Sequence, residues 1–449
     1  VLIKSFYPRM QTSLLKDDSR LTDEDTVIYA DTSMCEGVSK KEAHDRFKKN
    51  LYLKLQGDTG KNLPWGYLTG VRPSKIAYSM LEAGNSDEEI MSEFEEKHFV
   101  SHDKAELAMQ VAKTEKKILE DIDYTNGYSI YIGIPFCPTT CLYCSFTSYS
   151  LAANRSKVDL YLDALVKEMR FVADRMKGRR LDTVYFGGGT PTTLEPEQLD
   201  RLLNELEADF DMSTVKELTV EAGRPDSVTV QKLEVLKKHG VDRISINPQT
   251  MNDKTLEIIG RRHSATQVEE AFKLARSVGF DNINMDIILG LPGEGINELR
   301  YTLDKIKELK PESLTVHSLA IKRAAALNIW REKYENLKFE NSDETVSLAQ
   351  KYAGDIGCMP YYMYRQKNMA GNLENVGYSV PGKECIYNIL IMEEKQTIIA
   401  MGAGASTKAV FDADQPGPRI ERVENVKDLT SYISRIDEMI DRKKQAFAK

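Results

Sequence analysis

Residues 128–144 read YSIYIGIPFCPTTCLYC, a run that begins as a strand and ends as a cysteine loop. Its first half is rich in Ile and Tyr, a composition that suits a buried strand. Its second half packs Cys137, Cys141 and Cys144 into eight positions, with no fourth cysteine beside them. The spacing C-x3-C-x2-C follows the strand directly, so the three thiols fall where a strand C-terminus would present them.

The rhythm of that strand continues along the chain. YSIYIGIPF (128–136), TVYFGGG (183–189), ELTVEAG (217–223), RISINPQ (243–249), NINMDIILG (282–290) and SLTVHSLA (313–320) are six strand candidates. Between them lie stretches whose apolar residues recur every three or four positions: Val158 to Met176, Pro196 to Ala208, Ser227 to Lys238, Asp253 to Ser277 and Ile296 to Lys310. Six strand-helix units in series predict an α/β fold, with a parallel sheet wound by right-handed crossovers. Six units rather than eight point to a partial (β/α)6 barrel. An open doubly wound sheet is the alternative, because strand order cannot be read from one sequence. In either arrangement the functional residues follow the strand C-termini.

The flanking regions differ in texture. The first 125 residues are polar and charge-rich, with helices predicted at Lys41 to Leu55, Pro73 to Glu82 and His102 to Asp121. They are read as an N-terminal accessory domain, residues 1–125, with the turn-rich LPWGYLTGVRP (63–73) dividing the first two helices. The barrel is expected over 126–330 and a C-terminal α+β cap over 331–449. The cap has a helix near Asp343 to Asp355, the strand-like CIYNILIMEEKQTIIAMGAG (385–404) and a terminal helix from Asp428 to about Lys444. The run EEIMSEFEEKH (88–98) reads as a solvated helix face. His44, His98 and His102 are expected to be exposed, and His263 and His317 to be hydrogen-bonded structural imidazoles.

Composition excludes several classes. A net charge of -8 over 449 residues argues against a protein that coats nucleic acid, which needs clustered Lys and Arg. A hydrophobic fraction of 41% with 29% charged residues suits a folded globular chain. No apolar run approaches the roughly 20 residues that span a bilayer, and the opening VLIKSFYPRM lacks a signal-peptide core. A cytoplasmic location is therefore expected. Six cysteines are too sparse for a disulfide scaffold, and the scattered Cys35, Cys358 and Cys385 are expected to be small buried apolar groups.

The trio has a different chemistry. A closed zinc site takes four Cys or His ligands in paired short spacings, and no second C-x2-C or H-x3-H stands here. Three thiolates fit instead a 4Fe-4S cluster in which one iron is left open for a ligand.

With Tyr143 before the last cysteine, C-x3-C-x2-C resembles the signature of the radical S-adenosylmethionine (SAM) superfamily, whose core is a six-unit partial barrel. That resemblance implies that the open iron chelates the amino and carboxylate groups of SAM. One electron then cleaves SAM to methionine and a 5'-deoxyadenosyl radical. FGGGTPTTL (186–194) reads by itself either as a tight turn or as a surface for a polar ligand. It resembles the loop that meets the SAM amino group, which makes Gly188, Gly189 and Thr190 binding candidates.

The blocks YIGIPFCPTTCLYC, YFGGGTPT, GRRH and DIILGLPGE, in that order, resemble the oxygen-independent coproporphyrinogen III oxidase subgroup over residues 128 to about 320. MGAGAST (401–407) and LPWGYLTGVRPSK further resemble its HemZ branch, the coproporphyrinogen dehydrogenases. Carried over by position, the resemblance implies SAM contacts at Tyr131, Tyr143, Glu221, Gln249, Arg261 and Asp286. Glu221 and Asp286 suit ribose or ammonium groups by charge, and Arg261 suits a carboxylate. The implied partners are a tetrapyrrole substrate and a one-electron donor such as flavodoxin or ferredoxin. The implied reaction is oxidative decarboxylation of coproporphyrinogen III propionates to vinyl groups. Arg155, Arg224, Arg262, Arg365 and Lys367 are candidate partners for the four substrate carboxylates. The chain departs from the subgroup at Phe146, where the decarboxylase has a further cysteine that the heme chaperones also lack. Its GNLENVGYSVPGKE (371–384) matches the usual N-x-A-x-P-G block only loosely. Methyl transfer to a tetrapyrrole, heme ring opening and heme trafficking therefore stand as alternatives.

Overall fold

The computed structural model describes residues 2–7, 27–28, 32–33, 36–319, 341–366, 373–411 and 418–448. Cys35 and Lys367 lie outside them.

Six strands form the centre: β1 (Gly127–Ile134), β2 (Arg180–Gly188), β3 (Glu217–Glu221), β4 (Arg243–Ser245), β5 (Ile283–Leu289) and β6 (Ser313–Ser318). They lie side by side in chain order, each parallel to the next. A doubly wound sheet would reverse its strand order at a switch point. This sheet does not, so its winding is that of a barrel.

Alternation along the strands sorts side chains to two faces. Ile130, Ile132 and Ile134 of β1, Val184 and Phe186 of β2, and Leu218 and Val220 of β3 join the main apolar core. The other face is polar. Thr183 Oγ1 donates to Ser129 Oγ at 2.9 Å, and Ser129 Oγ donates to Gln396 Oε1 at 2.8 Å. Across the sheet Thr315 Oγ1 donates to Asn284 Oδ1 at 3.0 Å, and Asn284 Nδ2 donates to Asp286 Oδ1 at 2.7 Å. Among the named groups each has a partner, so this part of the polar inner surface leads toward the strand C-termini with its hydrogen bonds made.

Strands from both sides of the expected boundary at 330 belong to one sheet. From the C-terminal stretch, β7 (Met359–Tyr364), β8 (Asn375–Ser379), β9 (Thr397–Met401), β10 (Ser406–Phe411) and β11 (Arg419–Glu424) extend it to the order β11-β10-β9-β1-β2-β3-β4-β5-β6-β8-β7. β9 runs parallel beside β1, while β8 runs antiparallel beside β6. Both edges that the six strands would leave unpaired are thereby covered.

Three local expectations are corrected. CIYNILIM, strand-like by composition, is the helix Ile386–Glu393, which ends where Glu394 turns left-handed at φ 53°. Short apolar runs are ambiguous between helix and strand, and here the packing of Tyr387, Ile389 and Leu390 decides. Asp253 to Ser277 is two helices, Asp253–Ile258 and Ala265–Val278, split by Gly260 at φ 78° and restarted by a capping box between Ser264 and Gln267. EEIMSEFEEKH is not wholly solvated, since Ile90 and Phe94, four apart, are both fully buried.

The segment LPWGYLTGVRPSK docks the N-terminal region onto the C-terminal strands. Trp65 is fully buried and its Nε1 donates to Glu374 Oε2 at 2.7 Å, while Lys104 Nζ donates to Glu374 Oε1 at 2.6 Å. The Arg365 backbone N–H donates to Val71 O at 2.7 Å, and its guanidinium stands 5.5 Å from the Trp65 ring. Arg365 is thus part of this joint, away from the substrate role considered for it.

Candidate functional site

The cysteine loop is held from two sides. Leu142 N donates to Ile259 O at 3.0 Å, and Thr139 Oγ1 donates to Gly260 O at 3.0 Å. Arg224, bound to Asp226 at 2.9 and 2.8 Å, donates through Nη1 to Thr139 Oγ1 at 3.0 Å and lies 3.8 Å from Cys141 Sγ. A guanidinium so committed positions the loop and brings positive charge to a thiol. None of the five described cysteines is in a disulfide. Burial pushes the Cys137 thiol up to about 11, with Thr190 opposing that shift, and also raises Cys144. Among the described residues no three His, Cys, Asp or Glu side chains close around a single metal ion. Three thiols lining one cavity are of a kind and number that suit ligands to three corners of an iron-sulfur cluster.

One cavity of about 260 Å³ gathers the expected residues. The three cysteines and Tyr143 line it from the loop, and Gly188, Gly189 and Thr190 from the end of β2. Glu221, Gln249, Arg261 and Asp286 complete that side. The glycines are needed by the fold as well. Gly188 has φ 109°, and a Cβ on Gly189 would meet Phe136 O at 2.6 Å, so the end of β2 can press against the strand that leads into Cys137 only without side chains. Gln249 holds a left-handed φ of 66°, with its N–H on Asp286 O at 2.9 Å and its buried Oε1 unpartnered. Backbone strain and an orphaned acceptor at one residue are the marks of a binding position.

Tyr131 stands apart from this wall. It stacks with Tyr185 and Tyr387 at 6.2 Å each, within the polar inner face, and its hydroxyl lies behind Gly188. Tyr185 Oη donates to Glu221 Oε1 at 2.7 Å. Burial pushes the Glu221 carboxyl up to about 7; the Tyr185 bond opposes this and the charge of Asp286 adds to it. Asp286 is half-buried, and desolvation would raise it, yet His317, Asn284 and Thr315 hold it below the usual carboxylate value. The two acids are thereby driven apart in protonation.

Of the described cations considered for a substrate, only Arg224 lines the cavity, and it is engaged with Asp226. Arg155 and Arg262 are exposed and off the wall. Sequence reasoning missed Asn247, whose Oδ1 accepts from Asp286 N at 3.2 Å and whose backbone O accepts from Arg261 Nη1 at 2.5 Å. Its place two residues before Gln249 was the available signal. His317 was expected to be structural, yet it lines the cavity with Tyr364 and Asn375. No local pattern marks the last two, which arrive from the C-terminal strands.

The family model described as the Radical SAM superfamily matches residues 131–306. The oxygen-independent coproporphyrinogen-III oxidase-like protein HemZ of Bacillus subtilis (strain 168) is 42% identical over 414 residues, 90% of this chain and 82% of that protein. The chain belongs to the radical SAM superfamily. Members of the superfamily use a 4Fe-4S cluster and SAM, and the cavity has the donor set for both. The heme chaperone HemW of the same organism is 39% identical over 43% of this chain and 50% of its own length. Coproporphyrinogen III oxidase (HemN) from Escherichia coli shares the radical SAM fold, with a TM-score of 0.55 at 22% identity over 75% of this chain and 73% of that one. Among the described residues no helix is long and apolar enough to cross a membrane.

Proposed function

We propose that this chain is a radical SAM enzyme of tetrapyrrole metabolism that converts propionates of coproporphyrinogen III to vinyl groups. The observation that carries the reading is the convergence of the three cysteines and the ends of β2 to β5 on one cavity; the HemZ similarity over most of the chain supports the substrate. Cys137, Cys141 and Cys144 would hold the cluster. Glu221 and Asp286 would accept hydrogen bonds from SAM, Arg261 would meet its carboxylate, and Gly188, Gly189 and Thr190 would let it approach the backbone. When bound, the reduced cluster and SAM supply a 5'-deoxyadenosyl radical able to take a hydrogen atom from a propionate carbon. Loss of that hydrogen atom, carbon dioxide and one further electron leaves the vinyl group, so an electron acceptor completes the reaction. An external one-electron donor such as flavodoxin or ferredoxin supplies the reducing electron. The protein's part is to orient the substrate and exclude water, on a wall already fixed by Arg224, Asn247 and the glycines.

The test is an anaerobic incubation of reduced, reconstituted protein with SAM and coproporphyrinogen III, followed by mass spectrometry. Vinyl product, carbon dioxide and deoxyadenosine are expected in step. Phe146, 72% exposed at the cavity where the decarboxylase has a cysteine, favours heme trafficking as a second reading. Tight heme binding without deoxyadenosine from any tetrapyrrole, on an intact reduced cluster, would select it. Deoxyadenosine with a methylated or ring-opened product would select a related tetrapyrrole reaction.

Glu221 makes the cofactor assignment pH-sensitive. The ionised carboxylate is the form that suits the ammonium of SAM, and its value of about 7 lies above the ordinary 4.5. SAM affinity is expected to rise about tenfold from pH 6 to pH 8, following the ionised fraction. Glu221→Gln should bind SAM more weakly at pH 8 and lose that slope. The sign for stability is opposite: a raised folded-state value stabilises the ligand-free protein below about pH 4.5, and this contribution is lost as pH rises through about 7. An equal slope in wild type and Glu221→Gln, measured by equilibrium dialysis, would refute the assignment.

A further inference from the structure

The cofactor assignment uses the cysteine loop and the ends of β2 to β5. The cavity's other flank comes from β6, β7 and the start of β8, and there His317, Tyr364 and Asn375 reach the wall. His317 is distinguished by its two neighbours. Its Nδ1 lies 3.4 Å from Tyr364 Oη, within hydrogen-bond reach, while its Nε2 lies 3.7 Å from Asp286 Oδ2, beyond it. A phenol that donates to Nδ1 keeps the ring proton on Nε2. The N–H so placed faces Asp286 at more than hydrogen-bond length, on a side chain that is 28% exposed, so it can turn to a second acceptor in the cavity.

The rest of the wall shows what this donor is for. A substrate rich in carboxylates needs N–H donors, which basic side chains supply. Among the described lining residues these are Arg224, Arg261 and His317. Arg224 is bound to Asp226 and the cysteine loop, and Arg261 to Asn247 O beside Tyr143 and Cys141. Both stand on the cofactor side. His317 stands on the other.

We propose that His317, oriented by Tyr364, donates from Nε2 to a carboxylate of the substrate and determines specificity for acidic substrates. The ring then lies between that carboxylate and Asp286 and separates two negative charges that would otherwise repel. The inference rests on the tetrapyrrole reading for the identity of the molecule that brings the carboxylate.

The experiment is an anaerobic fluorescence titration of the reconstituted holoprotein with coproporphyrin III, a four-carboxylate probe, and with its tetramethyl ester. His317→Phe is expected to weaken binding of the free acid about tenfold or more and to leave the ester unaffected. His317→Gln, which keeps an N–H donor, should recover part of the loss, and Tyr364→Phe should show a smaller loss confined to the free acid. SAM affinity and the cluster spectrum serve as the measures of an intact cofactor side in each variant. Equal free-acid affinity in His317→Phe and wild type overturns the inference and leaves the tetrapyrrole reading in place. Parallel loss of SAM and porphyrin binding also overturns it, since His317 would then act by supporting Asp286. Failure of the wild type to bind either probe overturns the tetrapyrrole reading and this inference with it.

Discussion

Replacing Cys137, Cys141 and Cys144 together by Ala is expected to lower the iron content of anaerobically reconstituted protein from about four per chain to near zero. All SAM cleavage should vanish with it. The loss should be complete because the other described cysteines cannot substitute. Cys385 is fully buried and its thiol donates to Glu217 Oε1 at 3.2 Å; Cys358 is buried with its thiol on Glu312 O at 3.4 Å. Neither lines the cavity, so Cys358→Ala and Cys385→Ala should keep full iron content. Iron and sulfide analysis with visible absorbance makes the comparison. Undiminished iron in the triple variant would remove the cluster assignment.

The second large effect concerns stability. Lys443 on the terminal helix and Glu168 on the helix Val158–Arg175 form an ion pair at 2.6 Å with both side chains fully buried. Glu168 is fully bonded: Oε1 also accepts from Asn425 Nδ2 at 2.8 Å, and Oε2 accepts from Gly402 N at 2.9 Å and Tyr432 Oη at 2.5 Å. Lys443→Met is expected to cost about 3–5 kcal/mol, because it strands a buried carboxylate, whereas Glu168→Gln with Lys443→Met should recover part of that. Denaturant midpoints of the three proteins provide the check, and a loss below about 1 kcal/mol in Lys443→Met would contradict it. The damage should reach the cluster as well. Glu168 holds Gly402, a Cβ on Gly402 would meet Gly133 O at 2.6 Å, and one on Gly404 would meet Thr147 Oγ1 at 2.6 Å. The glycine block of residues 401–407 is therefore a brace between the terminal helix and the region of the cysteine loop. Cluster loss on standing should be faster in Lys443→Met than in wild type.

How much of this was legible beforehand depended on the range of the interaction that decides it. The trio is three cysteines within eight positions of one loop, so the expectation of a cluster there is written locally. Glu221, Gln249 and Asp286 could be placed on one wall because they lie at the end of β3, after β4 and within β5, and parallel crossovers point the C-terminal ends of such strands to one side. Tyr131 lies inside β1, and its ring joins the stack with Tyr185 and Tyr387, a contact that only the assembled sheet reveals. The four described cations considered for the substrate, Arg155, Arg224, Arg262 and Arg365, are off the wall or already engaged for a related reason. Charge and proximity to a motif do not say whether a guanidinium is already spent, as Arg224 is on Asp226 and Thr139.

By itself the sequence determined the six strand-helix units, the cysteine loop and the motif positions that follow the strands, all of which rest on local periodicity and spacing. The tertiary structure decided which strands are neighbours. It placed β9 beside β1 and β8 beside β6, closing both edges with residues separated from their partners by long stretches of chain. That pairing brings Tyr364 to His317 and Trp65 to Glu374. Backbone hydrogen bonding between strands is almost blind to side-chain identity, so the register that creates these contacts is set by burial summed over the whole sheet.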